Sequence, residues 1–178
     1  MINFTKMHGL GNDYIYINML EDKNYIPSDK ISIFTRFVSN RNFGIGSDGV
    51  ILIKPSKIAD FKMEIYNADG SKAEMCGNGI RCFGKFLYDN KITTKRLIKV
   101  ETLAGIKTLE LILKDDKVYE VKVNMGKPIV LQKDLTFNIQ DIEIKGTYIS
   151  IGNPHFVIFV DNLENLGISK YRTANRKS

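Results

Sequence analysis

Residues 75–87 read Met75-Cys76-Gly77-Asn78-Gly79-Ile80-Arg81-Cys82-Phe83-Gly84-Lys85-Phe86-Leu87. Ile80, Phe83, Phe86 and Leu87 recur at the three- and four-residue spacing of one helix face, and Asn90 is a natural end for that helix. Glycines crowd its first turn, where a helix exposes unpaired backbone N–H groups and a partial positive charge. Such a mouth receives a carboxylate, and glycines let it approach closely. It also favours the thiolate of a cysteine placed there, since thiols at helix N-termini titrate at about 3.5–7.5 instead of about 8.5. The dipole alone supplies at most about 2 kcal/mol, or about one and a half pH units. Cys76 is therefore the candidate general base, poised near the pH where one is most useful. Buried cysteine is common as packing, but packing needs no Gly-Asn-Gly beside it. Cys82, further along the helix, cannot share the direction of Cys76 at the mouth and reads as core.

Around this helix the pattern turns to β. Ile2–Met7 and Tyr14–Asn18 read as strands separated by the turn His8-Gly9-Leu10-Gly11-Asn12-Asp13. Ser28 after Pro27 predicts a helix N-cap, with Ile31, Phe34, Phe37 and Val38 at helical spacing up to Asn40. Val50–Ile53 and Phe61–Tyr66 are short strands, and Asn67-Ala68-Asp69-Gly70 is a turn. Leu97–Thr102, Ile106–Leu113, Val118–Asn124, Tyr148–Ile151 and Phe156–Val160 are β-like, with a hairpin turn at Asp115-Asp116. After Leu166 the segment Gly167–Ser178 turns basic and polar, which predicts a frayed tail. Internal repeats and Pro-, Gly- or Ser-rich linkers are absent from the sequence.

Bulk properties narrow the class. In 178 residues, 43% are hydrophobic, enough for a packed core and too many for wholesale disorder. No run approaches the ~18 apolar residues of a membrane span, and the N-terminus lacks the apolar stretch of a signal peptide, so a cytoplasmic protein is expected. The net charge of +6 is scattered, apart from Lys170, Arg172, Arg176 and Lys177 near the end. Without a zinc pattern, an RNP-type run or a basic helix, it reads as a solvated surface and does not indicate nucleic acid. Cys76 and Cys82 make neither a disulfide framework nor, with only His8 and His155 elsewhere, a metal site.

One motif misleads. Gly44-Ile45-Gly46-Ser47-Asp48-Gly49 matches G-x-G-x-x-G, yet a dinucleotide fingerprint follows a strand and opens a helix. Here it follows a helix and opens a strand, so nucleotide binding is rejected and a close-packed glycine turn is expected. Asn12, Asn67 and Asn153 lie beside turns, where an amide can hold an ammonium with its oxygen and a carboxylate with its nitrogen. Turns also favour asparagine for purely local reasons. His155 follows Pro154 at the mouth of a strand, either as a supporting hydrogen-bonding group or with no role.

Together these residues resemble the diaminopimelate epimerase family. The carrying segments are Lys6–Asp13, Arg41–Gly49, Asn67–Ser71, Met75–Cys82, Glu101–Gly105 and Gly152–His155, and the match runs from Met1 to about Lys170. The resemblance implies epimerisation of LL- to meso-diaminopimelate, a precursor of lysine and of peptidoglycan, without pyridoxal phosphate, metal or any other cofactor. In the family two cysteines face the α-carbon from opposite sides. Cys76 matches the first, and His155 matches a histidine that supports catalysis. Asn12, Asn67 and Asn153 match substrate-binding asparagines, and Gly77 and Asn78 match the backbone pair at the helix mouth. The implied fold is α/β (α+β), a mixed β-sheet wrapped around a central helix, followed by an incomplete second domain of the same type. Residues 1–120 would form the first domain and 121–178 the start of the second, with its aberrant basic tail.

The departures carry expectations too. Some family members have Gln at the position of Gly49. The family's second cysteine motif, of Ala-Cys-Gly-Thr-Gly type, does not occur in these residues, nor do its later asparagine and Glu-Arg pair. The sequence is thus expected to stop before the second cysteine, leaving sheet edges and apolar surface uncovered. The expected partners are diaminopimelate as small-molecule substrate and either a second copy, as a homodimer, or a complementing C-terminal half; nucleic acid and membrane are not expected. The alternatives are an inactive remnant or interaction fragment and a related proline-racemase-like isomerase.

Overall fold

The computed structural model describes residues 1–20, 24–139 and 142–162. The expected basic tail, Gly167–Ser178, lies outside them. The chain forms two compact units, Met1–Met125 and Gly126–Ser178.

The first unit is a mixed eight-stranded sheet around a helix. Its elements are β1 (Thr5–Gly9), β2 (Asn12–Asn18), α1 (Ile31–Ser39), β3 (Gly49–Lys54), β4 (Phe61–Asn67), β5 (Lys72–Ala73), α2 (Gly77–Asp89), β6 (Leu97–Thr102), β7 (Gly105–Lys114) and β8 (Lys117–Asn124). The strand order is β1-β2-β3-β4-β6-β7-β8, with β5 paired to β4. β2 runs parallel to β3 across the α1 connection, and β4 parallel to β6 across α2; the other neighbours are antiparallel. α2 packs on β1 and β8, which stand at opposite ends of the strand order, so the sheet curls around it.

Side-chain alternation explains the unbroken apolar runs in β2 and β3. Tyr14, Tyr16, Ile51 and Ile53 face the α2 core, while Ile15, Ile17, Val50 and Leu52 face a second core shared with Ile31 and Val38 of α1. Strands covered on both faces lose the polar alternation of a half-exposed strand. On α2, Ile80, Phe83 and Leu87 are fully buried, each worth about 1.5–3 kcal/mol. Gly84 lets the helix approach β7, because a Cβ there would lie 2.9 Å from Leu109 Cδ2.

α1 differs from expectation at its start. Lys30, not Ser28, occupies the N-cap and makes no side-chain cap bond. The Lys30 N–H donates to Pro27 O at 2.9 Å, closing a turn that uses Ser28 before the helix begins. Its buried face is Ile31, Thr35, Val38 and Ser39, while Phe37 is exposed. β1 starts at Thr5, later than expected, and continues to Gly9. The hairpin turn at Asp115-Asp116 has both residues at positive φ, 52° and 55°, the pair of conformations a two-residue loop requires.

The second unit is a three-stranded antiparallel sheet, ordered β11-β10-β9, of β9 (Ile129–Ile139), β10 (Ile142–Ser150) and β11 (Pro154–Val157). β9 and the first half of β10 escaped the sequence reading. Phe137 and Phe156 pack edge to face there, with ring centroids 5.0 Å apart.

Candidate active site

The β1–β2 hairpin brings Asn12 to the helix mouth. Its two-residue turn, Leu10-Gly11, has φ of 56° and 82°. Gly9 lies against Asn78: a Cβ at Gly9 would sit 3.2 Å from Asn78 Cβ and 3.3 Å from its carbonyl oxygen. No bulkier residue fits without displacing the α2 mouth.

Cys76 is the N-cap of α2, in extended conformation. Its sulfur accepts the Gly79 N–H at 3.3 Å, and its thiol donates to Asn12 Oδ1 at 3.2 Å. A Cβ on Gly77 would meet nothing within 4 Å, so the space above the first helical residue is open. The Tyr16 hydroxyl donates to Gly79 O at 2.9 Å and pins this turn to β2. Arg81 reaches back to Asn78 Oδ1 at 2.5 Å and Gly77 O at 3.2 Å.

A polar chain extends behind Asn12. The Asn12 Nδ2 donates to Asp48 Oδ2 at 2.8 Å, and the same oxygen accepts the Asp13 N–H at 3.0 Å. Arg41 Nη2 bridges Asp13 Oδ1 at 2.6 Å and Asp48 Oδ1 at 2.8 Å, while Lys6 Nζ lies 3.1 Å from Asp13 Oδ2. The Arg41 guanidinium, helped by Lys6, outweighs partial burial and holds the Asp13 carboxyl down at about 2. Tyr14 is buried; burial first, then its neighbour Cys76, pushes its hydroxyl well above the usual phenol range. Burial likewise raises Tyr16 and the Cys82 thiol.

Asn67 stands opposite Gly49 in the β3–β4 ladder, and its Nδ2 donates to Ser71 Oγ at 3.1 Å. A Cβ on Gly49 would lie 2.1 Å from Tyr66 O, 3.0 Å from Tyr14 Cε1 and 3.1 Å from Asn67 Cα. No side chain fits there on this backbone, which is why the position is glycine here.

The expected residues thus divide. Cys76, Gly77, Asn78 and Asn12 meet at the α2 mouth, and Asn67 stands beside Gly49, which Tyr14 touches. Asn153 and His155 belong to the second unit, where His155 Nε2 is 3.0 Å from Asn153 Oδ1. The sequence reading missed Tyr14, Arg41 and Asp48; two opposite charges flanking a glycine loop that has no phosphate to bind were the available signal. Among the described residues no cluster of three or more His, Cys, Asp or Glu could hold a metal ion, and no helix is long and apolar enough to cross a membrane.

The fold matches solved structures. A hydroxyproline epimerase from Agrobacterium vitis superposes with a TM-score of 0.69 over 92% of this chain and 52% of its own, at 17% identity. A probable proline racemase from Agrobacterium radiobacter K84 gives 0.71 over 93% and 55%, at 16% identity. These likenesses define the fold that the chain shares with both proteins. Residues 4–131 match the diaminopimelate epimerase family, to which the chain belongs. Diaminopimelate epimerases from Methanococcus maripaludis and Acetivibrio thermocellus are both 49% identical to it over 95% of this chain. The chain spans 64% and 63% of the lengths of these two relatives.

Proposed function

We propose that this chain supplies the Cys76 half of a diaminopimelate epimerase site, which interconverts LL- and meso-diaminopimelate without pyridoxal phosphate or metal. One observation carries the reading: Cys76 caps α2 with its sulfur on the Gly79 N–H, beside open space over Gly77. The substrate carboxylate docks on the N–H groups of Gly77 and Asn78, and the Cys76 sulfur exchanges a proton with the α-carbon. Asn12 and Asn67, in the same unit as Cys76, hold the substrate's polar groups.

Inversion demands a second acid. A base that removes a proton from one face returns it only to that face. General acid–base catalysis contributes roughly 10²–10⁴, and the rest must come from dipoles fixed in a closed, dry site. These residues hold a single cysteine at a helix mouth. The purified chain by itself is therefore expected to epimerise little or not at all.

The test is incubation with LL-diaminopimelate in D2O, scoring α-deuterium and configuration separately. Any deuterium should enter with retention, at a rate that falls about 10²-fold or more in Cys76→Ala. Unchanged incorporation in that variant would remove Cys76 from the reaction. Inversion by the chain alone would show that it finds a second acid. No exchange by a folded chain would show that the Cys76 half is inert without its complement. A second reading, favoured by the proline-racemase fold likeness, has a cyclic amino acid as substrate; proline in the same assay separates the two.

A further inference from the structure

The Asn12 amide could turn either end towards Cys76, and the two ends have opposite effects. A carbonyl oxygen accepts the S–H and offers nothing to a thiolate, whereas an NH2 group donates to a thiolate. In the structure the oxygen faces the sulfur at 3.2 Å and the nitrogen faces Asp48 Oδ2 at 2.8 Å. An ionised carboxylate only accepts, so turning the amide would set two acceptors against each other and orphan both. Asp48 has no freedom to retreat. Its carboxylate is held by the Asp13 N–H and Arg41, and its own N–H donates to Asp13 O at 2.8 Å.

We propose that Asp48 is a positioning residue that locks the sense of the Asn12 amide and so holds the Cys76 sulfur in its thiol form, the form that delivers a proton. The acid role rests on the function proposed above; the effect on the sulfur does not. The helix mouth and the Gly79 N–H favour the thiolate, and the locked carbonyl opposes them. Asp48 thereby balances a sulfur that must both take and give a proton.

The other ionisable groups around the sulfur are Tyr14 and Tyr16 of β2 and Arg81 and Cys82 of α2. Behind them stand Arg41, Asp13 and Lys6, with His8 at the end of β1. Asp48→Ala removes none of these groups and frees the amide to turn its NH2 to the thiolate.

The experiment is iodoacetamide labelling of Cys76 against pH in the purified chain. In Asp48→Ala the midpoint of the rate profile should fall by about one pH unit, so that labelling well below the midpoint speeds up about tenfold. Cys82 is the internal folding control, because its burial keeps it slow in a folded chain. In an Asn12→Ala background the shift from Asp48→Ala should vanish. A shift that persists there means Asp48 acts by its charge alone, and an unmoved midpoint in the folded single variant means it does not act; either overturns the proposal. Where Asp48→Ala labels fast at Cys82, the unmutated chain decides by 15N NMR. The Asn12 side-chain amide should stay bonded to Asp48 on both sides of the midpoint, and its release as the thiol ionises overturns the proposal. No step uses substrate, so failure of the D2O assay leaves this result standing, and the reverse.

Discussion

Residues 44–49 and 76–79 are both glycine-rich and both lie against the ends of helices, yet one is closed and the other open. In the first, the N–H groups of Gly44, Gly46, Ser47 and Asp48 donate to the carbonyls of Asn40, Val38, Ser39 and Asp13 at 2.8–3.1 Å. The loop follows α1, so its N–H groups satisfy carbonyls that the helix C-terminus leaves unpaired. In the second, Gly77 and Asn78 open a helix, and no carbonyl lies one turn earlier in the helix for their N–H groups. Glycine content is equal to either task. Which end of a helix the glycines adjoin decides whether backbone donors are consumed by the fold or left for a ligand.

Adding one methyl group to each stretch should break this symmetry, and the larger effect belongs to the closed loop. A Cβ on Gly44 would lie 2.3 Å from Phe37 O and 2.7 Å from Val38 O, both backbone atoms that cannot swing aside. Gly44→Ala should therefore destabilise the chain by about 2–3 kcal/mol, read as a lower urea midpoint with an unchanged m-value. A midpoint within error of the parent would mean the loop yields freely and is not closed.

Gly77→Ala should do the reverse. Its methyl group meets no atom of the chain, and alanine is no worse than glycine in a helix, so the urea midpoint should not fall. The methyl group fills the space assigned to the substrate carboxylate. Protection of Cys76 from iodoacetamide by diaminopimelate should then need about tenfold more ligand, a change of about 1.4 kcal/mol. Equal protection in parent and variant would place the carboxylate elsewhere.

Much of this contrast was legible in the sequence. The α2 period, the glycines at its first turn and Cys76 ahead of them place one thiol at a helix mouth from the sequence alone. The order helix, loop, strand also excluded nucleotide binding at Gly44–Gly49, and the structure supplies the reason in its consumed N–H groups. β2 and β3 were readable because burial on both faces makes them continuously apolar. β9 was not: none of its described side chains is buried, and Gln132-Lys133-Asp134 interrupts its alternation. The Ser28 cap failed because Pro27 and Lys30 close a turn that local preference could not foresee. Asp48 stayed hidden because its meaning lies in Asn12 and Arg41, residues far apart in sequence that only the β2–β3 pairing brings together.

The smallest expected effect concerns what holds the closed loop to the hairpin. Arg41 and Lys6 draw the Asp13 carboxyl down to about 2 in the folded chain, against about 3.9 when unfolded. A carboxyl whose folded value is depressed binds fewer protons folded than unfolded. Its contribution to stability is complete above about pH 4 and is lost as pH falls through about 2. Asp60, Glu64, Asp69 and Glu101 are depressed as well and contribute with the same sign, but Arg41 is not among the groups that shift them. Arg41→Ala therefore leaves those shares alone and removes the partner that Asp13 shares with Asp48. At neutral pH the variant should lose little, because the Arg41 side chain is 56% exposed and such pairs are weak. Between pH 4 and pH 2 its stability should fall less steeply than that of the parent, and the two curves should converge in acid. Equal slopes would mean that Arg41 does not hold Asp13, and that the loop is joined to the hairpin through Asp48 and the backbone alone.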